Sequence, residues 1–215
     1  MRIGILGTGV VGQTIGSKLV QLGHDVMLGS RTATNDKAAK WVADNGDHAK
    51  QGTFADAAAF GEIVFNCTSG QVSLAALSSA GAANLDGKII VDVSNPLDFS
   101  QGFPPTLSVC NTDSVAEQIQ SAFPNSKVVK SLNTLTAALM VNPQALADGD
   151  HSVFVSGNDN DAKKTVIGLL ESFGHTDVLD LGDITTARGT EMVLPLWLRL
   201  MGALNTPVFN LKVVR

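Results

Sequence analysis

The sequence has no tyrosine among its 215 residues, two cysteines, 5 % aromatic residues and 16 % charged residues. Without tyrosine, every mechanism that needs a phenolic acid is excluded, including the Tyr-Lys pair used by many carbonyl reductases. Cys67 and Cys110 stand alone, with no CxxC spacing, so neither a disulfide framework nor a zinc site is expected. The charged fraction lies below the roughly 25 % of an average globular chain, which argues against disorder. Fifteen basic against twenty acidic residues leave a net charge of −5 and no global basic field, so nucleic acid is not an expected partner. Long hydrophobic runs are also missing. The most apolar stretch, Met192 to Leu204, contains Pro195 and Arg199 and is too short to span a bilayer, so no membrane association is expected. Gly7 interrupts the apolar start too soon for a signal peptide, and a soluble cytoplasmic protein in a reducing compartment is the expectation. No GxSxG elbow, HExxH or acidic metal cluster occurs, and the four histidines (24, 48, 151 and 175) do not cluster, so no metal is expected.

What is present is a regular alternation of short β-rich apolar runs with helical periodicity. Strands are expected at Arg2–Leu6, Asp25–Leu28, Ile63–Asn66, Lys88–Asp92, Lys127–Lys130, Ser152–Val155 and Asp177–Leu179. Several of these runs are continuously apolar, as strands covered on both faces must be. Between them, Ile15, Leu19 and Leu22 form one helical stripe, and Ala162, Val166, Leu169, Leu170 and Phe173 another, closed by Gly23 and Gly174 respectively. This reads as an α/β fold, a Rossmann-like doubly wound parallel sheet with a small C-terminal α/β extension. A boundary near Thr136–Pro143 divides it into residues 1–135, the nucleotide-binding part, and 136–215, a smaller part packed on it. Asn95 to Pro105 is a loop by composition, either at a ligand-binding edge or a plain surface connection. Ile184 to Leu204 reads as a helix bent or interrupted at Pro195, its wide apolar face buried in the core or in a subunit contact.

The strongest chemical signal follows the first strand. Gly7-Thr8-Gly9-Val10-Val11-Gly12 sits between a strand and a helix, with a second strand about twenty residues on, the context in which GxGxxG binds a dinucleotide. Gly7 allows the tight turn, Gly9 lets amides approach a pyrophosphate, and Gly12 packs the helix onto the strand. At the end of the second strand an NAD site usually carries a carboxylate for the ribose hydroxyls. Here Ser30 and Arg31 stand instead, with no carboxylate until Asp36 and a further cation at Lys37. A hydroxyl and two cations suit a 2′-phosphate, so NADP is expected over NAD.

For acid-base chemistry the sequence offers little. Lys130 and Asn133 are similar to the Lys and Asn of β-hydroxyacid dehydrogenases, but there the pair belongs to a helix and here Lys130 ends a strand. No catalytic acid or base is assigned. The chemistry left is hydride transfer between two bound cofactors, which needs proximity and orientation. At this point the chain resembles the coenzyme F420-dependent NADP oxidoreductases. The resemblance rests on Met1 to Gly12, Leu22 to Arg31 and Val128-Val-Lys-Ser-Leu-Asn-Thr134. It continues through Ser156-Gly-Asn-Asp159, Leu181 to Arg188 leading to Glu191 and Pro195, and Phe209 to Arg215. The cytoplasmic NADPH-binding domains of membrane metalloreductases, which deliver hydride to a flavin, look similar.

The resemblance implies that Thr8, Val10 and Val11 line the pyrophosphate loop and that Ser30, Arg31 and Lys37 hold the 2′-phosphate. It places Thr68 and Ser69 along the nicotinamide half, bordered by Ser94, Asn95 and Pro96 and closed by Asn133 and Thr134, with Thr8, Ser69 and Asn133 as positioning residues. At Thr68-Ser69 the chain departs from family members, which often carry a proline there. The acceptor implied is F420, FMN or FAD, and a homodimer is implied by the family together with the apolar 184–204 segment. Two other readings stay open: a small hydroxy- or imino-acid dehydrogenase using Lys130 and Asn133, and a non-catalytic NADP-binding redox sensor.

Overall fold

In the computed structural model, which describes residues 1–215, the glycine pattern opens a parallel βαβ unit. β1 (Arg2–Leu6), α1 (Val10–Gln21) and β2 (Asp25–Ser30) set Ile3 opposite Val26 and Ile5 opposite Leu28. The chain continues through α2 (Asp36–Asn45), β3 (Ala49–Thr53), α3 (Phe54–Phe60), β4 (Ile63–Asn66), α4 (Gly70–Ala80), α5 (Ala82–Leu85) and β5 (Ile89–Asp92). A short hairpin, β6 (Leu97–Asp98) and β7 (Thr106–Leu107), leads to α6 (Val115–Ala122) and β8 (Lys127–Ser131). The remainder is α7 (Ala137–Val141), β9 (Ser152–Gly157), α8 (Asn160–Phe173), β10 (Asp177–Asp180), α9 (Ala187–Met192) and α10 (Leu194–Leu204).

Eight strands form one sheet in the order β10-β9-β8-β5-β4-β1-β2-β3, a Rossmann-like arrangement in which the chain runs outward from β1 through β2 to β3 and then crosses back to β4 on the other side of β1. Helices cover both faces. The larger apolar core lies against α1, α2, α7 and α8, and the smaller one against α3, α4 and α6. All seven expected strands are present, with ends shifted by at most two residues. β3 was not anticipated: Ala-Lys-Gln-Gly-Thr is polar, and as an edge strand it buries only Ala49 and Gly52.

The doubly wound parallel sheet is present as expected, with all the pairs among β1–β5 and β8 parallel, and the C-terminal extension joins it in the opposite direction. β9 runs antiparallel to β8, and β10 runs parallel to β9. Residues 132–151, which connect β8 to β9, contain only the five-residue α7 and two single 3₁₀ turns. A helix of that length rises about 7 Å, too little to carry the chain back along a strand for a parallel return. The expected interruption at Pro195 is a break at Val193 between α9 and α10. Proline falls in the first turn of α10, where its missing N–H costs nothing. The 95–105 loop holds the first strand of the hairpin and leaves Phe99 and Phe103 exposed.

The most deeply buried charges sit where β5 and β8 end. Lys130 is 1 % exposed, and its Nζ lies 2.8 Å from Asp92 Oδ2 and 2.8 Å from Glu191 Oε1, while also donating to the Ser94 carbonyl. Three donors meet three acceptors, so the ammonium is fully used. Burial alone would lower the Lys130 pKa, but the two carboxylates outweigh it and raise the pKa. Burial pushes Glu191 above the usual carboxylate range. Glu191, carried by α9, also accepts N–H bonds from Val115 (2.9 Å) and Ala116 (3.2 Å) at the start of α6. Asp92 Oδ1 accepts from Asn66 Nδ2 and Ser94 Oγ, each at 2.8 Å. One ammonium therefore ties β4, β5, β8, α6 and α9 together. Lys130→Ala would leave two buried carboxylates without a counter-charge and should lower the unfolding free energy by about 3–5 kcal/mol, the scale of a broken buried pair. Urea unfolding measures this; a loss below about 1 kcal/mol would show that the sheet edge does not depend on the ammonium.

Candidate functional site

The loop after β1 is shaped by its glycines. Gly7 has φ +121°, a backbone that side chains rarely adopt, and a Cβ there would lie 2.7 Å from the Cys67 carbonyl oxygen. A Cβ at Gly12 would lie 2.2 Å from the Gly7 oxygen, so the helix can approach the loop only without one. At Gly9 a Cβ would meet nothing within 4 Å, so the loop leaves room directly before α1. Gly9 caps α1 with no side-chain hydrogen bond, and no acidic residue lies in the first turn. The amides and positive dipole end of α1 thus face that room uncompensated. Gln13 Nε2 donates to the Thr8 carbonyl at 2.8 Å and holds the loop, while Val10 projects into solvent and Val11 is half-buried.

Beyond the loop, a cavity of about 520 Å³ is lined by Gly7, Thr8, Gly29, Ser30, Arg31, Thr32, Asn35 and Phe54. A second, of about 470 Å³, is lined by Arg31, Phe54, Thr68, Val72, Ala75, Ala76 and Ser79. Arg31 borders both, is exposed, and makes no ion pair, although the chain has a surplus of carboxylates. Ser30 is buried, and its hydroxyl donates to the Thr32 carbonyl at 2.6 Å, so its hydrogen is spent on the turn while its lone pairs face the turn amide. Lys37 is exposed at the start of α2 and lies outside the lining; its backbone N–H donates to the capping Asn35.

A third cavity, of about 310 Å³, opens at the carboxyl ends of β4 and β5. Val11, Cys67, Thr68, Ser69, Val93, Ser94, Asn95, Leu97 and Phe99 line it. Thr68 lines this space and the second cavity, and so joins the two. Thr68 Oγ1 donates to Asn66 Oδ1 at 2.7 Å, and Ser69 caps α4 with its hydroxyl unused. Pro96 is buried behind the lining. Asn95 and Asn133 form a reciprocal pair: Asn95 Nδ2 donates to the Asn133 carbonyl at 2.8 Å, and Asn133 Nδ2 donates to Asn95 Oδ1 at 2.9 Å. Asn133 also donates to the Thr190 carbonyl at 3.0 Å, and with Thr134 it lies buried beneath the cavity instead of on its wall. Burial pushes the Cys67 thiol well up, so no thiolate nucleophile is available.

The structure therefore brings Gly7, Thr8, Ser30 and Arg31 to one cavity and Val11, Thr68, Ser69, Ser94 and Asn95 to another. It sets Lys37, Pro96, Asn133 and Thr134 behind or beside them. Sequence reasoning missed Phe54 and Val72, whose only signal is an apolar side chain at the first turn of a helix. It also missed the role of Asp92 and Glu191. A lone carboxylate ending an apolar strand, Ile-Ile-Val-Asp92, was the available sign of the first. Lys130 gives up all its donors to this cluster, and none is left for a substrate.

Residues 2–96 match the family model for coenzyme F420-dependent NADP oxidoreductases. The chain is 30 % identical over 211 residues to an F420-dependent NADP reductase of Methanocaldococcus jannaschii, covering 93 % of this chain and 92 % of that protein. It is 32 % identical over 201 residues to the metalloreductase STEAP3 of Rattus norvegicus; that match takes in 91 % of this chain but spans only 38 % of the rat protein. A solved structure of an Arthrobacter sp. FB24 protein, described as a candidate F420-dependent NADP-reductase, superposes with a TM-score of 0.96 at 56 % identity, covering all of both chains. A glycine loop feeding an uncapped helix, a free arginine at the end of β2, and full-length likeness to these reductases have one common reading: the chain belongs to the family of coenzyme F420-dependent NADP oxidoreductases.

Proposed function

We propose that the protein transfers hydride between NADPH and a deazaflavin (F420) or flavin-type acceptor. The observation that carries this reading is Arg31, an unpaired guanidinium between the cavity beside the glycine loop and a second cavity next to it. In this reading the amides at the start of α1 hold the pyrophosphate. Arg31 takes the 2′-phosphate as a bidentate cation, with Ser30 shaping the turn and Lys37 adding charge at the rim. Phe54, Val72 and Ala75 supply an apolar bed for the adenine. The nicotinamide half lies in the third cavity against Thr68, Ser69, Ser94 and Asn95, with Pro96, Asn133 and Thr134 fixing that wall from behind. Thr8, Ser69 and Asn133 act by positioning. NADPH supplies the hydride and becomes NADP⁺, and the anionic reduced acceptor takes its proton from solvent after the transfer; the protein's part is to orient two flat rings for the hydride step, which needs no protein acid or base. Leu97 and Phe99 give the acceptor side an apolar surface.

Residues 1–135 hold the nucleotide in this account, and residues 136–215 close the acceptor side. The use of Lys130 in dehydrogenation is disfavoured by its saturated hydrogen bonding. No helix is long and apolar enough to cross a membrane. Leu196 and Leu204 on α10 and Val208 beyond it are exposed, and this apolar face supports a homodimer. Sedimentation at micromolar concentration should give twice the chain mass; a monomer would remove that part.

Arg31→Ala should weaken NADPH binding by roughly 1.5–3 kcal/mol, the worth of a charge-assisted hydrogen bond, and leave NADH binding nearly unchanged. Equal losses for the two nucleotides would give Arg31 a structural role only. Stopped-flow mixing of the NADPH complex with F420, FMN, FAD and a quinone in turn should show rapid NADPH oxidation with a deazaflavin or flavin. Oxidation by none of them would leave the sensor reading in its place.

A further inference from the structure

Both Glu191 oxygens only accept, from Lys130 Nζ and from the Val115 and Ala116 N–H groups, as an ionised carboxylate does, so the cluster under the third cavity carries a net negative charge. Asp92 and Glu191 set two carboxylates against the single ammonium of Lys130, and all three side chains are at most 2 % exposed. The nearby Arg188 Nε donates to Glu117 Oε2 at 2.8 Å, with the Asp113 and Asp183 carboxylates also facing the guanidinium. The start of α6 offsets part of the surplus through its amides to Glu191, but a helix end contributes only about half a charge. The cluster reaches the cavity wall without a gap. Ser94 lines the cavity, its carbonyl accepts from Lys130, and its hydroxyl and N–H both donate to Asp92.

We infer that the surplus negative charge of the Asp92–Lys130–Glu191 cluster favours the oxidised, cationic nicotinamide over the reduced, neutral one and so biases the site toward hydride donation by NADPH. The inference rests on the placement of the nicotinamide in the third cavity proposed above. Its physical basis is that the ring changes from neutral to cationic when its C4–H bond breaks and the hydride leaves, while every other charge on the nucleotide stays fixed. A buried charge next to the ring therefore acts on one redox state and not on the other. The sign does not depend on which member of the cluster stands nearest. Removing any carboxylate charge makes the local potential more positive and disfavours the cationic ring. A unit charge about 10 Å away in a medium of effective dielectric near 20 moves such an equilibrium by about tenfold.

Glu191 is the informative position because it touches neither cavity wall nor any proposed nucleotide contact; it acts through Lys130 and through its own charge. Glu191→Gln keeps the size and one acceptor oxygen and removes the charge, at the cost of turning an NH2 toward a former N–H donor such as Val115. The experiment is direct titration of NADP⁺ and of NADPH, by calorimetry and by nicotinamide fluorescence, into the wild-type protein and the variant at fixed pH and salt. The ratio Kd(NADP⁺)/Kd(NADPH) should rise about 3–10-fold in Glu191→Gln, chiefly through weaker NADP⁺ binding. Asp92→Asn is the second variant, kept for the case that the first does not fold, and its ratio should move in the same direction. A ratio within twofold of wild type in a folded variant, or equal weakening of both nucleotides, would overturn the inference and leave the cluster a purely structural role. If the wild-type protein binds neither nucleotide, the reading of the site fails, and this inference fails with it.

Discussion

A single buried ammonium fixes the side of the sheet on which the candidate site is built. Lys130 comes from the end of β8, takes Asp92 from the end of β5 and Glu191 from α9, and holds the backbone of Ser94 between them. Burying three charges is unfavourable unless every donor and acceptor is met. Here that condition is satisfied through Asn66, Ser94 and the first two amides of α6. The consequence is geometric. The loop after β5, which carries Ser94, Asn95 and Pro96, cannot drift from β8 without exposing a charge to an apolar interior. The Asn95–Asn133 pair and its bond to the Thr190 carbonyl repeat the same lashing one layer nearer the cavity.

The opposite end of the site works by the reverse arrangement. Around the glycine loop, donors are left unpaired: Gly9 places no side chain over the start of α1, and Arg31 makes no ion pair. A chain with net charge −5 would repel a polyanion at long range, yet within a Debye length these local donors set the sign of the field. Unmet donors at one end and a saturated cluster at the other are what a nucleotide with an anionic head and a reactive ring requires.

Much of this was legible in the sequence because it depends on local pattern. Continuous apolar runs located seven strands, and in the loop Gly7 takes the positive φ of a tight turn, Gly12 leaves no room for a Cβ, and Gly9 stands before open space. β2 runs two residues past the expected Leu28, so that Ser30 ends it and Arg31 follows directly, and the Ser30 hydroxyl is engaged within its own turn. What was not legible depends on contacts between distant segments. β3 is too polar to announce itself and exists because β2 offers an edge. The reversal at β9 follows from how little helix lies between β8 and β9, a length the pattern alone did not weigh. The role of Lys130 was the hardest to see. Its partners lie 38 and 61 positions away, and only the fold shows that a lysine ending a strand is a structural tie.

The account holds that hydride passes directly between two bound rings, with the protein orienting them and moving no proton. The most direct test is the isotope sensitivity of bound-NADPH oxidation by the accepting deazaflavin or flavin in a single turnover. Deuterium at one of the two C4 positions of NADPH should slow the reaction by a primary isotope effect, while deuterium at the other position and replacement of water by D₂O should leave the rate nearly unchanged. A solvent isotope effect as large as the C4 effect would contradict the account, because it would place a proton transfer by the protein in the step that transfers hydride.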